Sequence, residues 1–299
     1  MSKNKYSACV ILAGCLWGFM GLFRRYLGAA GMSTAGVIIV RSGICALLFG
    51  VGLLIKNPAA LKVKLKDIWC FFGTGILSLL LLSYCYFNAM TLMSLSAAAI
   101  LMYTAPCFVI IISTFVFKEK LTAKKITALL LAFGGCCFVC GLGSSDTHMT
   151  TAGILYGLGS GIGYSLYSIF GKLAMNRGYS SNTVNFYTTL FACLGAVIIW
   201  GPGEPVRVMF ASWQNALLCV AAGLVTCYLP YLFYTYGLSG LEAGKAAIMA
   251  SVEPVVAMLV GMVFFNESVT LLNGAGVVLV LGSIVVLNTK VHKKTSLQA

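Results

Sequence analysis

The sequence predicts an all-α polytopic membrane protein, with ten transmembrane helices built as two inverted five-helix repeats around a central cavity. Three observations carry that expectation: the composition, ten apolar runs, and an internal repeat. Of 299 residues, 60% are apolar and 9% charged, only seven are acidic, and the mean hydropathy is +0.96. A soluble domain carries about a quarter charged residues, so water cannot be the main solvent here. An ordinary soluble enzyme is excluded. The net charge of +13 could suggest nucleic acid, but the basic residues sit in short clusters between apolar runs, as the positive-inside rule expects. The expected partners are therefore a lipid bilayer and a small molecule, with no nucleic acid.

A spanning helix needs about 20 apolar residues. Runs of that kind fall at about 7–27, 33–55, 68–90, 95–117, 124–142, 151–173, 182–200, 212–238, 243–265 and 270–288. Lys3 and Lys5 before the first run imitate a signal peptide, but no small-x-small cleavage site follows, so the run reads as a span. Only TLMSLS divides the third and fourth runs, and SGLE the eighth and ninth, so these neighbours must be antiparallel. With a cytoplasmic N-terminus and alternating spans, fifteen Lys and Arg fall inside, three (Arg24, Arg25, Arg207) outside, and Arg41 and Lys245 within spans. That bias places both termini in the cytoplasm and the protein in the plasma membrane.

LMYTAPCFVIIISTFVFKEKLT aligns without a gap on MASVEPVVAMLVGMVFFNESVT, 148 residues later. The same register pairs Tyr86 with Tyr234, Pro106 with Pro254, Glu119 with Glu267 and Thr122 with Thr270. Apolar composition does not readily supply matched Pro, Glu and Thr. The halves, 1–145 and 146–299, are read as duplicates. Five spans is an odd number, so the second copy enters the membrane upside down, the architecture of many secondary transporters.

Two five-span repeats, each with a mid-span Pro followed by FKEKLT or FNESVT, resemble the drug/metabolite transporter superfamily in its ten-span EamA branch. Trp17-Gly18, Arg41 within VRSGICALL, and Glu253-Pro254 support the likeness. The resemblance implies a basket of ten helices, a central cavity, and export of amino acids, metabolites or drugs. It does not fix the substrate.

Pro106 and Pro254 each remove a helical N–H, loosening the carbonyls of Met102 and Ala250. Freed backbone is tolerated in lipid only against protein or a wet cavity, so the pair marks a hinge beside a midplane site, or else a kink that only shapes packing. Pro230 is a third kink, with Leu82 at the matching position. A charge in mid-span costs at least about 2.5 kcal/mol, so Arg41 and Glu253 need partners or water. They read as a carboxylate anchor and a protonatable or cation-binding group, or as a buried structural pair. Lys245 reads as paired with Glu242 or snorkelling.

Cavity-wall candidates are Trp17, Tyr84, Tyr86, Asn88, Tyr103, Tyr164, Tyr167, Tyr228, Tyr231 and Tyr234. About half of such residues suit the interfacial belt; Trp17, Tyr86, Asn88, Tyr103, Tyr164 and Tyr234 lie deepest and are the stronger candidates. Glu119 and Glu267, each three residues before a helix-capping Thr, read as structural turn residues, with gating as the other use. Gly14-x3-Gly18, Gly153-x3-Gly157 and Gly159-x3-Gly163 read as close helix contacts. GLGSGIGYS lacks GxGxxG spacing, so no dinucleotide is expected.

Twelve cysteines, including the CCxxC of Cys136, Cys137 and Cys140, lie mostly in apolar runs with no histidine near, so no metal or cofactor is expected. His148, His292, Asp67 and Asp146 lie at loops or the tail, which leaves a membrane-embedded enzyme without an acid/base set. The expectation is a non-enzymatic exporter of a small polar or zwitterionic, amino-acid-like metabolite, with proton coupling through Glu253. The competing readings are an embedded enzyme and a passive channel or scaffold. The substrate, the direction, the coupling ion and the oligomeric state cannot be read from sequence.

Overall fold

The computed structural model describes residues 3–93, 95–140 and 150–289. His148, Asp146, His292, Lys290, Lys293, Lys294 and the 145/146 boundary lie outside them.

Apart from the short helices Pro58–Leu61 and Gly203–Phe210, the described residues form ten helical units in order: α1 (Asn4–Ala29), α2 (Thr34–Lys56), α3 (Leu65–Leu92), α4 (Leu95–Met102 and Ala105–Val116), α5 (Ala123–Val139), α6 (Thr151–Asn176), α7 (Ser181–Trp200), α8 (Trp213–Gly240), α9 (Ala243–Ala250 and Glu253–Phe265) and α10 (Leu271–Asn288). Among the described residues, eight are long and apolar enough to cross a membrane. Of the other two, α5 has only 17 helical residues. The other, α6, has 26, but its glycines, serines and tyrosines lower its hydropathy. The outer surface supports the lipid assignment, because Leu47, Phe115, Ile198, Val263 and Val278 are exposed at a density water would not tolerate.

Side-chain caps start several helices as the sequence leads one to expect. Thr122 accepts from the Lys125 amide and Thr270 from the Asn273 amide, each satisfying an orphan donor of the first turn. The element bounds repeat at the register of the sequence repeat: α3 and α8 have equal lengths 148 residues apart, and so do Leu95–Met102 and Ala243–Ala250. The main packing partners are α1 with α8, α3 with α6, α2 with α7, and α5 with α10. Replacing every helix by its counterpart leaves that list unchanged.

The prolines do more than bend their helices. Both α4 and α9 are broken, at Tyr103–Thr104 and Ser251–Val252, and Pro106 and Pro254 open the second segments at their second position. A Pro there costs no hydrogen bond, since that N–H is orphaned anyway. The freed carbonyl of Ala250 abuts Gly14 of α1, where a methyl would lie 2.9 Å from its oxygen. Gly18 faces Val256 of α9, and Gly163 of α6 lies against the backbone of Leu82 in α3. The small-residue spacings are therefore helix contacts.

Both α3 and α8 also contain π-helical stretches, Gly73–Leu80 and Leu224–Tyr228, at matching places. Such wide turns leave carbonyls without regular partners. At one end of the bundle, Asp67 is tied to Arg177 Nε at 3.2 Å and to the Tyr179 hydroxyl at 2.8 Å. That ties α3 to α6.

Candidate functional site

A cavity of about 500 Å³ opens between the two halves. Its floor is Trp17, Tyr103, Tyr164, Tyr231 and Glu253, and its upper wall includes Arg24, Glu267, Ser268 and Asn273 at the helix ends. Arg41, Tyr86, Met102, Met258 and Pro254 complete the middle. Beyond the floor lies a void of about 20 Å³, lined by Tyr103, Pro106, Tyr164, Ser168, Tyr234 and Ser251 among others, and a separate recess of about 300 Å³ lies beside Lys172, Tyr179 and Leu238. The site is open toward the 267 turn and shut toward Glu119.

Arg41 is held by the break in α8. Pro230 has no N–H to give the Thr226 carbonyl four residues earlier, and Arg41 Nη2 donates to that carbonyl at 2.6 Å. The π-helical stretch and the proline therefore create the acceptor that fixes the guanidinium. Arg41 Nε is buried and has no hydrogen-bond partner among the described residues. An unsatisfied donor of this kind costs about 1–3 kcal/mol, more when charged, and an anion in the cavity would relieve it.

Glu253 is the first residue of the second segment of α9. Its Oε2 accepts from the Tyr164 hydroxyl at 2.8 Å, and a carboxylate at a helix N-terminus is favoured by the helix dipole. Arg41 and Glu253 both line the cavity, but no ion pair joins them. The expectation of a structural Arg41–Glu253 pair is corrected: Arg41 turns to the Thr226 carbonyl and Glu253 to Tyr164.

The aromatic floor is tightly interlocked. Trp17 meets Tyr164, Tyr231 and Tyr234 with ring centroids 5.3–6.2 Å apart, a geometry worth about 0.5–1.5 kcal/mol per pair. Below it, the Tyr167 hydroxyl, Thr235 and Asn185 bond one another at 2.5–2.7 Å, and Ser168 bonds the Tyr234 hydroxyl at 2.7 Å. Satisfied networks of this sort rigidify a core.

Six of the eight binding candidates share the cavity: Trp17, Arg41, Tyr86, Tyr103, Tyr164 and Glu253. Tyr234 lies one layer lower, on the small void. Asn88 is not on either wall, and its amide donates to the Tyr84 carbonyl of its own helix at 2.8 Å. The deepest residues of a span point in every direction, so depth alone could not tell Asn88 from Tyr86. Tyr231, a cavity-wall candidate outside the deepest six, belongs to the floor. Arg24 and Asn273 also line the cavity without having been singled out; the 148-residue register, which pairs them with Lys172 and Lys125, was the available signal.

Glu119 and Glu267 occupy matching turns in different surroundings. Glu119 is buried and receives the amide of Ala243 at 2.7 Å, Lys125 Nζ at 3.1 Å and Lys172 Nζ at 3.3 Å. Burial pushes the Glu119 carboxyl up, but the Ala243 amide and the two lysines outweigh it and hold it below the usual range. Glu242 pairs with Lys125 at 2.7 Å. Glu267 is exposed and pairs with Arg25.

The twelve cysteines are free thiols, and among the described residues no three His, Cys, Asp or Glu converge as metal ligands.

The EamA-like transporter family matches residues 5–141 and again 151–289. The chain belongs to that family. This EamA-like chain is similar to a protein of Archaeoglobus fulgidus described as an uncharacterized transporter, with 26% identity over 279 residues, 93% of this chain and 94% of that one. It is also similar to the uncharacterized transporter YdfC of Bacillus subtilis, 26% identical over 247 residues, 83% and 78% of the two chains. A solved crystal structure superposes with a TM-score of 0.79 over 96% of this chain and 97% of the other, at 17% identity. That last likeness concerns the fold. The EamA-like protein is thus a multi-pass membrane protein of a transporter family.

Proposed function

We propose that the chain is a secondary transporter that exports a small amino-acid-like zwitterion across the plasma membrane by alternating access. The observation that carries this reading is the pair Arg41 and Glu253, opposite charges on one cavity that do not bond each other. A zwitterion brings the complement of each. Its carboxylate would meet the unpartnered Arg41 Nε, and its ammonium the Glu253–Tyr164 pair, over an aromatic floor that shields both from water. Binding polar groups to a pre-formed, largely apolar pocket is how small-molecule sites gain specificity.

Alternating access is supported by the cavity being open at one end only and by the matched breaks in α4 and α9. Ten spans in two inverted repeats, 1–145 and 146–299, make the closed end the counterpart of the open one. The basic clusters of the sequence put the termini, and hence the Glu119 end, in the cytoplasm. Pro106 and Pro254 then serve as hinges, and proton exchange at Glu253 couples transport to the proton gradient.

The test is a thermal-shift screen of detergent-purified protein against the twenty amino acids and their methyl esters and N-acetyl derivatives, followed by counterflow in proteoliposomes. A ligand stabilises the state it binds. The expected result is stronger stabilisation by a free amino acid than by either derivative, with saturable counterflow of the same compound. Equal stabilisation by the acid and both derivatives, or leak without counterflow, would remove the zwitterion reading. Equal uptake by Glu253→Gln at every pH would end the coupling role.

A further inference from the structure

The two turns that carry Glu119 and Glu267 have the same backbone. Lys118 and Asn266 both adopt left-handed φ, 54° and 53°, and the Glu119 and Glu267 amides donate to the Ser113 and Gly261 carbonyls six residues back. Only the carboxylates differ. Glu119 reaches across to the first amides of α9, Ala243 at 2.7 Å and Gly244 at 3.4 Å, with Lys172 of α6 and Lys125 of α5 beside it. Lys172 also donates to the Leu241 carbonyl at 2.7 Å, so the bundle is pinned shut at that end.

The 148-residue register converts each of these parts into a counterpart at the other end. Ala243 becomes Leu95, the first residue of α4, Lys172 becomes Arg24 of α1, and Lys125 becomes Asn273 of α10. Arg24 lines the open cavity and forms no ion pair among the described residues. The 500 Å³ cavity, which has Ala99 and Met102 of α4 on one wall, has Glu267 on another. One lock is closed, and the parts of a second lie apart around the mouth.

We propose that Glu267, Arg24 and the N-terminal amides of α4 form the second gate, and that Glu267 exchanges Arg25 for Arg24 and those amides when the cavity closes at this end. The inference rests on the alternating-access reading and adds to it the residues that hold each state. Glu119 in its bed favours the state seen here, and Glu267 in the equivalent bed favours the opposite one. Arg25, the partner Glu267 has in this structure, only parks it. Asn273 supplies no charge where Lys125 does, and its amide instead holds the Phe138 and Val139 carbonyls at 3.0 and 3.1 Å. The second gate therefore depends on Arg24 for its positive charge.

Cys140, a half-buried thiol on the open cavity, reads out the balance. Its labelling by a polar maleimide in nanodiscs, followed by peptide mass, measures how much protein is open at this end. Glu119→Gln opens the first gate and is expected to slow Cys140 labelling several-fold. Adding Glu267→Gln or Arg24→Gln restores the rate, whereas adding Arg25→Gln does not. Restoration by Arg25→Gln with none by Arg24→Gln overturns the proposal, as does a Glu119→Gln rate equal to wild type. If Glu119→Gln does not fold, Lys172→Met opens the same gate. Counterflow of the amino acid found by the thermal-shift screen is measured on the same preparations. Wild-type counterflow with the wrong labelling pattern refutes the gate alone, while absence of counterflow refutes the transporter reading beneath it.

Discussion

Arg41→Gln gives the sharpest account of the binding site. In the native site Nη2 is committed to the Thr226 carbonyl, and Nε is buried without a partner. A ligand carboxylate reaching that nitrogen forms at least one charge-assisted hydrogen bond, worth about 1.5–3 kcal/mol, or about 10- to 150-fold in affinity. Glutamine ends at the level of Nε, so the variant loses both the charge and the Nη2 bond to Thr226, and the ester on the same variant reports the second loss alone. The assay is a two-by-two cycle by isothermal titration, the best-binding amino acid and its methyl ester on wild type and variant. The acid is expected to weaken about 10- to 150-fold on Arg41→Gln, and the ester by less than about threefold. Equal losses for acid and ester would show that Arg41 does not contact the carboxylate, and the argument from its free nitrogen would fail. Arg41→Lys is expected to fall between, because an ammonium cannot hold a carbonyl and a carboxylate with one rigid fork.

Gly14→Ala places a methyl 2.7 Å from Val252 Cγ1 and 2.9 Å from the Ala250 carbonyl, so overpacking of about 1–3 kcal/mol lowers the melting temperature in detergent. Gly28→Ala, which meets nothing within 4 Å, is the control, and equal melting of the two would refute the contact. Glu119 has a carboxyl held below its ordinary range, so its stabilisation is complete above the unfolded carboxylate value and is lost as pH falls through the folded one. The stability difference between wild type and Glu119→Gln is therefore flat above about pH 5 and shrinks in acid; a difference that grows in acid contradicts the assignment. Tyr164→Phe removes the hydroxyl that donates to Glu253. It is expected to weaken an amino acid while leaving the binding of its N-acetyl derivative unchanged, as titration of both will show.

The order of elements could be read closely from the sequence because lipid forces helices and duplication repeats their bounds. The run expected at 243–265 matches Ala243–Phe265, and the run at 270–288 matches α10 within a residue. Its limits are local. The hydropathy of a helix does not show that Gly73–Leu80 widens into a π turn, because every residue there is compatible with a regular helix. Pro230 was visible as a kink, but its consequence, a carbonyl offered to Arg41, depends on which helix lies beside α8. The aromatic floor was legible by type and only partly by position: Tyr164 and Tyr231 face inward, while Tyr84 is exposed, and sequence periodicity does not orient a helix whose apolar residues run all round.

The left-handed corners at Lys118 and Asn266 bear on any attempt to toughen this protein. A side chain with a Cβ pays about 1–2 kcal/mol for that backbone, and engineers commonly relieve the cost with glycine. Here the cramped bend aims a carboxylate, and FKEKLT and FNESVT have drifted apart in sequence while keeping it. Glycine at either corner would free the pivot along with the strain, so sturdier variants are better sought elsewhere in the chain.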